Sequence, residues 1–197
     1  MKSVFIFLFS PLFMFCLAGN SYMSYSQEEF EHLNAFNKPI DLNNIDLALI
    51  KAGVFYLTNV YRLNKNKALL SYSQQLSFAA YTHSEQMRTY HFFDHVNKKN
   101  RDLSTLEKRA QYAGYINYTA LAENIFYGYV DLRNAGSYKD LCAFIVDAFI
   151  SSKEHKENLL AQDVNDIGCG ISFDTQTNYG FWYFYFTQDF GSTLMLD

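Results

Sequence analysis

From Ile45 onward the chain alternates between apolar positions spaced three and four residues apart and short polar breaks. Leu47, Ile50, Val54, Leu57 and Tyr61 share one face of a helix, which Asn64, Lys65 and Asn66 interrupt. Leu76, Ala80, His83 and Met87 form the stripe of a second helix, with Tyr72 or Ser73 at its start. A third, shorter helix is predicted over 103–112 and ends at Gly114. Leu141, Phe144, Ile145 and Phe149 predict a fourth over Tyr138–Ser151, and 155–160 reads as one more helical turn.

The spacing changes near the C-terminus. Residues 167–173 are apolar and contain Gly168 and Gly170, which permit close backbone approach. A turn-rich stretch, 174–180, leads into the aromatic segment 181–190, so the two read as a β-hairpin. Residues 122–129 are the third predicted strand. Helices first and a small antiparallel sheet afterwards make an α+β domain. Before Ile45, residues 22–44 are polar and read as an N-terminal extension or linker with one short helical piece; 45–197 is the domain proper.

Composition adds two constraints. Hydrophobic residues make up 49% of the 197 and charged residues 18%, enough apolar material for a real core. The net charge is −4 with no long basic run, which excludes a nucleic-acid surface that works by displacing counterions. The 16 Tyr and 19 Phe stand against a single Trp, and tyrosine suits groove walls as well as cores.

The first 21 residues read as a secretory signal peptide. Lys2 is the positive n-region, 4–17 is an apolar run, and Ala18, Gly19 and Ser21 are the small residues of a cleavage site. The run falls short of a membrane span, which needs about 20 residues; the alternative is an uncleaved anchor. Cys16 follows Phe-Met-Phe, which is not a lipobox. The expected product is secreted or periplasmic, with no transmembrane segment in the mature chain. It keeps Cys142 and Cys169, which either pair in an oxidising compartment or stay as buried thiols.

Five histidines are candidates for chemistry: His32, His83, His91, His95 and His155. His32 lies in the polar extension. His83 sits on an apolar stripe and reads as a hydrogen-bonded core residue. His91 and His95 are four apart, but the sequence between them looks like a helix end. His95 and His155 fall at helix boundaries beside polar residues, and Glu123 interrupts an otherwise apolar strand, where a carboxylate needs a partner. Two imidazoles and a carboxylate suit a divalent transition metal, and equally a hydrogen-bonded polar cluster. Ser84, Ser151 and Ser152 adjoin histidines in sequence, but adjacency does not make a nucleophile–base pair, and helix-terminal roles fit them better.

In order, the chain carries NVYR (59–62), AYTHSEQM (80–87), FFDH (92–95), KRAQYAGY (108–115), AENI (122–125), SSKEHKENLL (151–160), IGCG (167–170) and YFTQDFG (185–191). This series resembles the CAP superfamily of cysteine-rich secretory, antigen 5 and pathogenesis-related 1 proteins, in its short bacterial form. The match runs from about 46 to 191. The resemblance implies an α-β-α sandwich with a three-stranded antiparallel sheet between helical layers, and a cleft lined by two histidines and two glutamates. Carried over, these are His95, Glu123 and His155, with Ser152 where the second glutamate would stand; Phe149 replaces a usual tryptophan. It further implies a zinc-type divalent cation on His95 and His155. Some relatives bind lipids or other small apolar ligands, so the expected role is binding of such a ligand or of an extracellular protein partner. The alternatives are a metal-assisted hydrolase with Glu123 as general base, and a structural envelope protein.

Overall fold

The computed structural model describes residues 22–176 and 180–193; the expected signal peptide lies outside them. Two short helices, α1 (Gln27–Glu31) and α2 (Asn34–Asn37), precede the long helix α3 (Leu47–Asn64). A two-residue strand β1 (Ser71–Tyr72) leads into α4 (Gln74–Tyr90), and α5 (Leu106–Tyr112) follows a long loop. Strand β2 (Tyr118–Asp131), helices α6 (Tyr138–Ser151) and α7 (Lys153–Leu160), and the hairpin β3 (Asp166–Asp174) and β4 (Phe181–Thr193) complete the order.

Local chemistry sets the helix starts. Asp46 accepts from Leu49 N–H at 3.0 Å to begin α3, Ser73 accepts from Leu76 N–H to begin α4, and Ser137 with Asp140 forms a capping box on α6. Helix α4 ends at His91, which turns left-handed at φ 50°. His91 therefore leaves the helical face, and its four-residue spacing from His95 has no geometric meaning.

The sheet order is β1-β3-β4-β2. The three long strands are antiparallel neighbours, as expected, but β1 adds a fourth strand parallel to β3, pairing Ser71 with Asp166. The sheet is thus mixed and four-stranded, a correction to the three-stranded antiparallel expectation. Two residues without alternation carry no strand signal, and only the incoming β3 gives them a ladder partner. The segment 22–44 holds two short helices instead of one, and its Phe30, Phe36 and Ile40 are buried in the main core.

The two faces of the sheet pack differently. One face lies against α3, α6 and α7 through a core that includes Phe149, Phe184 and Phe186. The other lies against α4 at backbone distance. A Cβ added to Gly170 would come within 2.1 Å of Tyr81 N, and one added to Gly168 would meet the α4 backbone at the same distance. Cys142 and Cys169 are both free and buried. Gly170→Ala is expected to destabilise the protein by about 3 kcal/mol, the upper end for overpacking, since helix backbone must move to admit the methyl. Urea unfolding of that variant measures this, and an unchanged midpoint would show that α4 can lift off the sheet freely.

Candidate functional site

The site forms where β2, α5 and the loop after α4 meet. Glu123 lies mid-β2, directly opposite Asp189 of β4, so both side chains leave the same face of the sheet, the one that α4 covers. The Glu123 side chain is 4% exposed. His95 Nδ1–H donates to its Oε1 at 2.8 Å, and the buried Arg109 of α5 donates to its Oε2 at 2.5 Å. Arg109 also donates to the carbonyls of His95 and Leu103, both at 3.4 Å. Asn97 braces the same loop: it is buried, donates to Gln86 Oε1 at 2.8 Å, and accepts from the N–H groups of Lys99 and Asn100.

His83 is fully buried, as read from its stripe. Its Nε2–H donates to Asp94 O at 3.1 Å and lies 3.8 Å from Glu123 Oε1, while Nδ1 has no protein partner. Among the described residues, four buried side-chain atoms lack a protein partner: His83 Nδ1, Arg109 Nε and both oxygens of Asp189. All belong to residues gathered around Glu123.

The electrostatics follow from this packing. Burial lowers His83 to about 4, against the pull of Glu123, so it is neutral at physiological pH. Burial would raise Glu123, but the hydrogen bond from His95 and the charge of Arg109 outweigh it and hold the carboxyl below its ordinary value. The same hydrogen bond raises His95 against desolvation. Burial, and then the Glu123 carboxylate, push Asp189 well above the carboxylate range.

His155 sits on α7, across the sheet edge. Its ring packs edge-on to Phe149 at 5.2 Å. Its carbonyl accepts from Asn124 at 3.2 Å, while Asn158 donates to Glu123 O and to Asn124 Oδ1. Burial, then the nearby His95, lowers His155. Ser152 stands at the N-cap position of α7 without a side-chain cap bond, and its hydroxyl donates to the Glu154 carboxylate at 3.2 Å. The structure thus joins His95 to Glu123 directly, sets His155 within electrostatic reach of His95, and gives Ser152 a bond to its own helix. No three His, Cys, Asp or Glu among the described residues are grouped to hold a metal.

Two residues of this centre were not singled out from sequence: Arg109 and Asp189. Asp189 interrupts an aromatic strand just as Glu123 interrupts its own, and the same argument would have found it. Arg109 lies on the short α5 beside Ala110, where a cation on a buried face is the available signal.

A layered α-β-α domain with a histidine–carboxylate pair at one sheet edge defines the class. The model of the CAP, cysteine-rich secretory protein, family matches residues 55–190, and the chain belongs to that family. It is 32% identical over 115 residues to the uncharacterized membrane protein YlbC of Bacillus subtilis (strain 168), a match covering 58% of this chain and 29% of that one. It resembles an extracellular protein containing an SCP domain from Bacillus anthracis str. Ames at TM-score 0.54 and 25% identity, over 73% of this chain and 40% of that one. The fold is also that of an outer surface protein from Borrelia burgdorferi, at TM-score 0.55 and 17% identity, over 72% and 90% of the two chains. The chain spans under a third of YlbC and two-fifths of the Bacillus anthracis protein. Among the described residues no helix is long and apolar enough to cross a membrane.

Glu123→Ala is expected to cost about 3–5 kcal/mol, because it leaves the Arg109 charge buried and unpaired; a loss under about 1 kcal/mol in urea unfolding would show that the pair does not hold the site. His83 predicts an acid effect. The unfolded chain protonates this ring near pH 6.5 and the folded chain only near 4, so its contribution is complete above 6.5 and is lost as pH falls between those values. The loss amounts to roughly 3 kcal/mol. His83→Gln is expected to flatten the stability–pH curve over that window, and a curve parallel to the wild type would contradict the assignment.

Proposed function

We propose that the protein acts by binding, through a cleft centred on His95 and His155 that takes a divalent cation of the zinc type together with a small apolar ligand or an extracellular partner. The observation that carries this reading is the engagement of both Glu123 oxygens, one by His95 and one by Arg109. A carboxylate held in this way orients an imidazole; it is not free to take a proton from water. With Nδ1–H given to Glu123, His95 keeps Nε2 for a ligand, the arrangement in which a carboxylate supports a metal-bound histidine from behind. His155 is the second donor, and its lowered pKa keeps it in the neutral form that ligates. Such a cation would supply an anchor for an acidic or carbonyl group of the bound molecule. Phe93, beside His95 and half exposed, gives the cleft an apolar rim.

The same observation weighs against the metal-assisted hydrolase, in which Glu123 would be the general base. A purely structural cluster is disfavoured too, because His95 is 53% exposed and contributes little to the core.

Calorimetric titration of the purified protein with Zn²⁺ tests the proposal. His95→Ala and His155→Ala should each weaken binding at least tenfold, and Glu123→Gln about 10–100-fold, as an orienting partner does. Affinity should fall on acidification, since the raised His95 must lose its proton to bind. Absence of binding by the wild type, or binding indifferent to His95→Ala, would overturn the cation site. Turnover of peptide or ester substrates abolished by Glu123→Gln would overturn the binding role.

A further inference from the structure

Strand β2 ends the sheet: β4 pairs with it on one side and no strand of the described residues pairs on the other. Its first half is closed, because Asn158 of α7 donates to the Glu123 carbonyl. From Ile125 to Val130 the edge carries none of the usual protections, and a charge comes only at Asp131. There is no Lys, no Pro and no bulge, the one register irregularity lying back between Tyr118 and Ala120. The residues at this open edge are aromatic and exposed. Tyr127 is 44% exposed and Tyr129 56%, on the face that α4 leaves uncovered beyond its end, with Phe93 and Tyr183 against them. On the opposite face Phe144 of α6, 49% exposed, packs edge-on to Phe126.

We propose that this edge pairs antiparallel with the same edge of a second copy, about a two-fold axis at Gly128, to make one continuous sheet across a homodimer. The sequence Phe126-Tyr127-Gly128-Tyr129-Val130 is self-complementary in that register. Tyr127 falls opposite Tyr129 of the other copy and Phe126 opposite Val130, so aromatic pairs form on one face and apolar pairs on the other. The charges agree with it as well. Asp131 falls opposite Ile125, and the two copies' Asp131 side chains lie at opposite ends of the ladder, each already paired with Arg133 of its own chain. The open stretch ends where Asn158 closes the edge, which is the length this pairing needs.

The area suffices. With aromatic side chains of about 150–250 Å² each, the exposed parts of Phe93, Tyr127, Tyr129, Phe144 and Tyr183 come to roughly 350–600 Å² per chain. Two copies would then bury roughly 700–1,200 Å², the size of a weak, concentration-dependent interface. A phosphate-bearing partner fits poorly, since Arg133, beside this edge, is held by Asp131.

Sedimentation of the purified protein over a wide range of concentration is expected to show a monomer–dimer equilibrium. Tyr127→Lys/Tyr129→Lys sets like charges opposite each other and should raise the dimer dissociation constant about a hundredfold or more. Tyr127→Lys/Tyr129→Glu sets opposite charges there and should restore the dimer. Both positions are exposed, and circular dichroism checks that the variants fold. In the wild type, amide exchange over 125–131 should slow as concentration rises, a reading that needs no variant. A wild type monomeric at every concentration overturns the proposal, whether or not β2 captures a foreign extended peptide. So does a dimer indifferent to the paired lysines, a folded Lys/Glu variant that stays monomeric, or exchange over 125–131 that ignores concentration.

Discussion

The buried carboxylate of Glu123 is the constraint on which the site depends. An ionised group almost removed from water is stable only where other groups replace its hydration, and here two separate parts of the chain do so. Arg109 brings α5 and His95 brings the loop after α4, while His83 of α4 lies 3.8 Å away and shields the carboxylate from water. Neither of these two parts needs the other for its own secondary structure. Their relative positions follow from one carboxylate that requires both of them. An ion pair this buried is a poor source of net stability, because desolvation consumes most of the Coulombic gain. Its effect is to determine which arrangement of the loop is allowed, and therefore where the free nitrogen of His95 points.

That arrangement works because the two faces of the sheet are filled differently. Against α3 and α6 the sheet presents Phe184 and Phe186, so helices stand off at side-chain distance. Against α4 it presents Gly168 and Gly170, and the helix backbone reaches the strand. Close approach draws His83 and Ser84 of α4 down to the sheet, where Ser84 meets Thr187 at 2.9 Å and His83 reaches Glu123. Side chains in place of these hydrogens would lift α4 and open the carboxylate to water. The glycines are thus part of the electrostatics of the site, although they carry no charge.

Much of this was legible in the sequence. Helical periodicity located α3, α4 and α6, the turn-rich stretch located the hairpin, and an acid in an apolar strand marked Glu123. The resemblance added the layering and drew His95 and His155 together. What escaped was of two kinds. Strand β1 has no pattern of its own and exists because β3 passes beside it. Asp189 carries the same signal as Glu123; what escaped is how Arg109 and Asp189 divide between the two carboxylates, because periodicity gives the face of an element without giving its neighbour. The N-terminal stretch shows the same limit: its composition is polar on average, yet Phe30 and Phe36 are among the most buried residues of the core.

Asp189 shows what that missing neighbour changes. A lone aspartate at its position would be read as a charge demanding a cation. Set opposite Glu123 on the adjacent strand, it meets a carboxylate that has already claimed Arg109, and two negative charges at this spacing in a dry interior do not both persist. Burial and the Glu123 charge therefore favour the protonated form of Asp189, the member without a cation, while His95 and Arg109 favour the charged form of Glu123. The division of labour between two chemically similar side chains is set by α5, which delivers its guanidinium to one strand and not to the next. The orientation of His95 and the direction of its outer nitrogen trace back to that placement, which is a property of packing and not of either residue alone.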